Sequence, residues 1–242
     1  AFITLAFLRL FICKKGDIMF ERLIGLIGEE KLKEIERKKI LLIGVGGVGS
    51  YALEALIRNG FYDITIVDFD TIDLSNLNRQ LITDSTNIGK YKVDEAKKRA
   101  LLINPNINIQ AINEKLNKEN LRNLLNQNFD YIIDACDTLD VKFALMENSL
   151  HYSYKLISSM GTAKKTDPTK LEITTLNKTN NDPIARLLRN KVRKAHINKK
   201  IYVVSSTEVP KQINMLGTAN LVPSVAGLLC VSFIFNDIIK NK

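Results

Sequence analysis

A chain of 242 residues that is 45% hydrophobic and 25% charged can bury one sizeable core, which excludes a disordered tract and a fibrous repeat. Its 35 Lys and Arg outweigh 26 Asp and Glu for a net charge of +9; that suits an anionic partner (nucleic acid, ATP, a membrane surface) or simply reflects a Lys- and Asn-rich composition. Three scattered cysteines, Cys13, Cys136 and Cys230, exclude a disulfide framework and a Cys-x-x-Cys zinc site, and they fit a reducing cytoplasm.

Residues 1–12 are apolar apart from Arg9, too short to span a bilayer and without the basic start of a signal peptide. The run Lys14-Lys15-Gly16-Asp17-Ile18 before Met19 is what a purine-rich ribosome-binding site would encode if translated, so residues 1–18 are expected to be a leader ahead of a start at Met19. A charged helix over 29–37 leads into a continuous apolar run at 39–43 that ends in glycines, the pattern of a buried parallel strand. Helix 49–59 follows, with Ala52, Leu53, Leu56 and Ile57 on one face and Gly60 as its stop, and then strand 63–67. Strand, glycine turn, helix and strand within about 30 residues make a βαβ unit with a right-handed crossover.

Helix 92–103 stops at Asn104-Pro105; strands are predicted at 107–112, 131–133 and 155–158, and a helix at 141–153. The fold class is α/β: a Rossmann-like, mostly parallel sheet with helices on both faces and its functional edge at the strand C-termini. After Gly161 the texture turns rich in Lys, Thr and Asn until Ile201. A boundary is therefore expected there, dividing a nucleotide-binding unit at 19–160 from a basic, substrate-binding portion at 161–242.

In that second portion Asp182-Pro183 reads as a helix cap and first-turn proline. The helix it opens has an apolar stripe of Ile184, Leu187, Leu188, Val192 and Ala195, and its other face carries Arg186, Arg189, Lys191, Arg193 and Lys194. Residues 221–235 are strongly apolar but short of a membrane span. A core helix on the sheet or at a dimer interface is favoured over membrane association.

The glycines Gly44, Gly46, Gly47 and Gly49 follow a strand and open a helix, where backbone amides and the helix N-terminus can hold phosphate. Asp68 ends the second strand, where a carboxylate accepts hydrogen bonds from ribose hydroxyls. Asn76, Arg79 and Gln80 come next, then Lys92, then Asp134 and Asp137 at a later strand end. Two cations and a carboxylate returning to one sheet edge suit a polyphosphate with a metal better than a nicotinamide.

These spacings resemble the adenylating family that includes molybdopterin-synthase and thiamin-thiocarboxylate adenylyltransferases and ubiquitin-activating enzymes. The resemblance implies ATP and Mg2+, with Asp68 on ribose and Asn76, Arg79 and Lys92 on the phosphates beside Gln80. It places Asp137 at the metal and reaction centre, and it gives Arg22 to the ATP of a partner protomer in a homodimer.

The second half, through Ser158-Ser159-Met160-Gly161, Asp167-Pro168-Thr169, Asp182-Pro183, Ser206-Thr207-Glu208 and Val222-Pro223-Ser224, resembles the tRNA threonylcarbamoyladenosine dehydratases. They adenylate a carboxylate on a modified tRNA base and cyclise it with net loss of water. The resemblance departs at Thr162-Ala163-Lys164, where a glycine-rich stretch is usual, and at Thr138. It implies a tRNA partner gripped by Arg186, Arg189, Arg193 and Lys194, with sulfur or redox proteins as accessories and a cytoplasmic location. Two rivals use the same first half: an adenylyltransferase for a ubiquitin-like sulfur carrier, and an ATP-sensing module without turnover. His151 and His196 lack partners for a triad.

Overall fold

In the computed structural model, which describes residues 19–215 and 217–240, one seven-stranded sheet runs in the order β3-β2-β1-β4-β5-β7-β6. The strands are β1 (Lys39–Ile43), β2 (Asp63–Val67), β3 (Asn108–Ile112), β4 (Tyr131–Asp134), β5 (Lys155–Ser159), β6 (Leu171–Thr175) and β7 (Tyr202–Ser206). All pairings are parallel except β6 with β7. The expected leader at 1–18 lies outside the described residues.

The central strands read as unbroken apolar runs because both of their faces are covered. Ile40, Leu42, Ile64 and Ile66 enter one core with α3 (Gly49–Arg58), α4 (Lys92–Ile103) and α8 (Leu221–Lys240). Leu41, Ile43, Val67 and Ile132 enter the other, with α5 (Lys118–Leu125), α6 (Leu139–Asn148) and α7 (Pro183–Lys194). Ahead of the sheet lie α1 (Glu21–Ile27) and α2 (Glu29–Glu36). From β1 the chain builds outward through β2 and β3, then returns to the other side of β1 with β4. The strand order therefore reverses between β1 and β4, which opens a crevice beyond their C-terminal ends.

The helix predicted at 141–153 ends at Asn148, where Ser149 and Tyr152 turn back on it. The change of texture after Gly161 coincides with no break in the sheet, since β7 lies between β5 and β6. On α7, Ala185 and Leu188 are buried with Ile184 and Val192 packed beside them, whereas Leu187 and Ala195, assigned to the stripe from sequence, are exposed.

The apolar C-terminal run is a 20-residue helix, long and apolar enough by composition to cross a membrane. Here it is a core element, with Val222, Ala226, Cys230, Ile234 and Ile238 buried. Its approach to α3 is so close that a Cβ on Gly227 would stand 2.3 Å from the Val48 carbonyl oxygen. Its far end is held by Asp237, which accepts from the Tyr131 hydroxyl at 2.5 Å and from Lys155 Nζ at 2.6 Å. Gly227→Ala is expected to force these helices apart and lower the unfolding free energy by about 1–3 kcal/mol in urea denaturation. An unchanged midpoint would show that the contact yields freely.

Candidate nucleotide site at the strand-order reversal

The crevice has a volume of about 500 Å³, within the range of small-molecule sites. Its floor is the turn from β1 into α3, and the four glycines of that turn divide into two kinds. Gly44 has φ +86°, and a Cβ there would lie 2.8 Å from the Ala135 carbonyl oxygen; a Cβ on Gly49 would lie 1.8 Å from that of Gly44. Those two are demanded by the fold. A Cβ on Gly46 or Gly47 would meet nothing closer than 3.8 Å and 3.4 Å respectively. The fold leaves these two free, and their missing side chains keep the crevice floor open to a phosphate.

Asp68 locks the same turn: Oδ2 accepts from Val45 N at 2.7 Å and Oδ1 from Asp70 N at 2.9 Å. Each oxygen keeps a lone pair for a ribose hydroxyl. A short 3-10 turn at Leu74–Asn76, closed by a reciprocal Asp73–Asn76 capping box, presents Asn76, Arg79 and Gln80 along the rim. Arg79 is half-buried and donates to the Ser75 carbonyl at 2.7 Å. The Gln80 side chain is buried, and its Oε1 has no hydrogen-bond partner among the described residues. Lys92 opens α4 with only 5% of its surface exposed, against the habit of a first-turn lysine, and its Nζ meets Asp70 at 2.7 Å. Asp137 stands exposed on the opposite rim, just past β4.

Eight of the nine predicted cofactor residues, Gly44, Gly46, Gly47, Asp68, Asn76, Arg79, Gln80 and Lys92, thus line one crevice with Asp137; the ninth, Gly49, is not among the lining residues and serves the turn instead. Arg22, exposed on α1, is not among the lining residues. Among the described residues no group of three or more His, Cys, Asp or Glu forms a metal cluster. Asp137 alone still fits Mg2+, which keeps most of its waters and is held by one or two carboxylates together with nucleotide phosphates.

The ThiF family model matches residues 20–236. The chain belongs to the ThiF family. It is similar to the tRNA threonylcarbamoyladenosine dehydratase of Bacillus subtilis, 38% identical over 89% of this chain and 92% of that one. The Haemophilus influenzae dehydratase is 32% identical over 92% and 95%. The solved structure of the Escherichia coli tRNA N6-threonylcarbamoyladenosine dehydratase in complex with ATP superposes with a TM-score of 0.88 at 28% identity, over 93% of this chain and 95% of that one.

Beneath the crevice of this ThiF-family chain lies a buried node that sequence reasoning missed. Lys142 on α6, with 1% of its side chain exposed, pairs with Asp134 at 3.1 Å. It also donates to the Ser159 carbonyl at 2.7 Å. Asp134 in turn accepts from Ser158 Oγ. Asp134 is therefore a structural acid, distinct in role from exposed Asp137. Burial opposes the charge on Lys142, Asp134 more than offsets it, and the lysine pKa lies above its ordinary value. The sequence signal was a lone lysine eight positions after Asp134 on a helix whose other residues are mostly apolar.

The basic helix keeps three of its four predicted tRNA contacts on the surface: Arg186, Arg193 and Lys194 are exposed. Arg189 is half-buried, donating to the Thr179 carbonyl at 2.9 Å, because its position rotates onto the side facing the loop before α7. Burial raises the Cys136 thiol pKa well above its usual range, with Asp134 adding to the effect, and burial pushes that of Cys230 up to about 12. Neither is poised as a thiolate nucleophile. In a Cys13→Ser background both thiols are expected to resist a disulfide reagent at about pH 8, near the free-thiol pKa, and to react once the chain is denatured. Fast native labelling of Cys136 would reverse that assignment.

Proposed function

We propose that this ThiF-family chain is an ATP-dependent tRNA threonylcarbamoyladenosine dehydratase. The observation that carries it is a single crevice uniting the open floor at Gly46 and Gly47 with Asp68, Arg79, Lys92 and Asp137, and running on past Ser159 to Ala163 and Ile184 of α7. ATP chemistry and a path toward the basic helix thus share one cavity.

In this function Asp68 holds the ribose, while Arg79, Lys92 and Asn76 hold the phosphates and offset charge that builds on pyrophosphate as it leaves. Lys92 is suited to that task because its burial keeps it from being solvated away. Mg2+, held at Asp137 with the nucleotide, would supply further charge neutralisation. The substrate carboxylate oxygen bonds to the α-phosphorus and the bond to pyrophosphate breaks. An internal nucleophile of the same side chain then bonds to the activated carbonyl carbon and releases its proton, and AMP departs carrying the former carboxylate oxygen. Proximity favours this ring closure. It calls for no enzyme thiol, in accord with the protonated Cys136 and Cys230.

Arg22 lies off the crevice of its own chain, which supports its service to the ATP of a second copy in a homodimer. Arg186, Arg193 and Lys194 offer a phosphate-binding face to tRNA, and tRNA and ATP as substrates support a cytoplasmic location. Removing the three as Ala is expected to flatten the slope of log affinity against log salt for tRNA by roughly 2–3 units. An unchanged slope would remove α7 from the tRNA surface.

The deciding experiment incubates tRNA bearing threonylcarbamoyladenosine with the protein, ATP and magnesium, and weighs the released nucleosides. The expected result is loss of one water from the modified adenosine with stoichiometric AMP. AMP formation stimulated by a ubiquitin-like carrier protein instead would replace the proposal. Asp137→Ala and Arg79→Ala should unfold cooperatively like the parent yet lose ATP–pyrophosphate exchange by about a hundredfold or more.

A further inference from the structure

Two buried lysines with no part in the steps above bracket one short stretch of backbone where β5 leaves the sheet. Lys142 donates to the Ser159 carbonyl at 2.7 Å from behind. Lys165, its side chain 1% exposed, donates to the Gly161 carbonyl at 2.8 Å and pairs with Asp182 at 3.2 Å. Asp182 is itself fixed as the cap of α7, accepting from Ala185 N at 2.9 Å. Between the two lysines, Met160 N is spent on the Val204 carbonyl at 2.8 Å.

The next three residues differ from their neighbours on both sides. Gly161, Thr162 and Ala163 are half-buried and line the crevice, yet their backbone N–H groups meet no acceptor among the described residues. Pairing resumes at Lys164, which takes a left-handed φ of +61°. Its N–H donates to the Gly217 carbonyl at 2.8 Å and its carbonyl accepts from Lys211 N at 2.8 Å. Three consecutive open donors, with the carbonyls at 159 and 161 drawn back by ammonium groups, leave an electropositive edge of backbone on the crevice wall.

We propose that the amides of residues 161–163 cradle the substrate carboxylate, the group to be adenylated, and that Lys142 and Lys165 are positioning residues that keep the cradle in shape. The assignment rests on the dehydratase function proposed above. Charge selects a carboxylate over the polyphosphate: each ammonium is cancelled by its own aspartate, so the cradle offers neutral dipoles to a single negative charge. Distance agrees. β5 lies two strands from β1, about 10 Å at ordinary strand spacing, too far for the phosphates on the Gly46–Gly47 floor and well placed for a group approaching them. Direction agrees too, because Ile184 of α7 closes the same end of the crevice. An apolar pair would stabilise the fold as well as a buried ion pair does; what the ion pairs add is a fixed direction for two carbonyls.

The test titrates the full chain, saturated with a non-hydrolysable ATP analogue, with the nucleoside N6-threonylcarbamoyladenosine and with its methyl ester. The parent protein is expected to bind the acid about tenfold more tightly than the ester, as charge-assisted hydrogen bonds would give. In Lys165→Met/Asp182→Asn, which removes both charges and keeps a capping side chain on α7, the preference is expected to shrink to less than about threefold with affinity for the analogue unchanged. Should that variant fail to fold, replacing Ala163 by lactic acid deletes one N–H and no side chain, and the preference should fall by roughly threefold. No acid preference in the parent, or an undiminished one in the folded variant or, failing that, in the lactic acid protein, overturns the cradle. A loss confined to analogue affinity does the same, since the amides would then serve the nucleotide. Dehydration of modified tRNA by the parent is scored apart: acid preference without dehydration supports the cradle and refutes the function, and dehydration without acid preference does the opposite.

Discussion

The contact on which the rest depends is the one between Gly49 and the carbonyl of Gly44, where even a methyl group would overlap the oxygen at 1.8 Å. It lets α3 begin directly over the end of β1, so that the turn between them becomes the floor of the crevice. Asp68 reaches across from β2 to hold that turn through Val45, and β4 closes the other side against Gly44. The nucleotide site is thus the place where three strand ends meet one tight turn, and its shape is set before any ligand arrives. Preorganisation of this kind is what makes fixed dipoles effective on developing charge.

The second constraint is electrostatic. Lys142–Asp134 and Lys165–Asp182 are each nearly devoid of solvent contact, and burying such pairs gains little stability over well-packed apolar residues. Both sit under the crevice wall and both hold backbone carbonyls. The exposed charges behave differently: Asp137 and Arg186 remain solvated and open to ligands. Charge in this chain is divided between groups that build the site and groups that work in it.

That division marks the limit of what the sequence could tell. β1, α3 and β2 were legible because their apolar runs and glycines serve the fold directly, and the crevice residues were legible because their spacing resembles that of a known family. α5 was passed over because only its Leu121, Leu124 and Leu125 are buried and its cap depends on an Asn117–Asn120 exchange. β6, an edge strand with two of five residues exposed, carries little apolar signal. Lysines are where one-dimensional reading fails most plainly. Lys165 lies in the basic portion expected to bind substrate, yet it is buried, and Lys142 showed only as a lone lysine on a mostly apolar helix. A lysine's role here depends on whether an aspartate from a distant segment faces it, which composition cannot reveal.

The stretch Thr162-Ala163-Lys164 after Gly161 follows the same logic. Lys164 occupies a left-handed conformation that glycine would take without strain. The strain is offset by what the residue does there: Nζ donates to the Ile213 carbonyl at 2.8 Å, and its backbone pairs with both Gly217 and Lys211. Asn78, on the nucleotide rim, donates to the Thr218 carbonyl of the same loop at 2.9 Å. Lys211, Ile213 and Gly217, which hold Lys164, and Thr218, which holds Asn78, therefore link the phosphate side of the crevice to the wall beside α7. A side chain at 164 supplies a link that a glycine could not, and it couples the geometry of the nucleotide rim to that of the wall where the second substrate would enter.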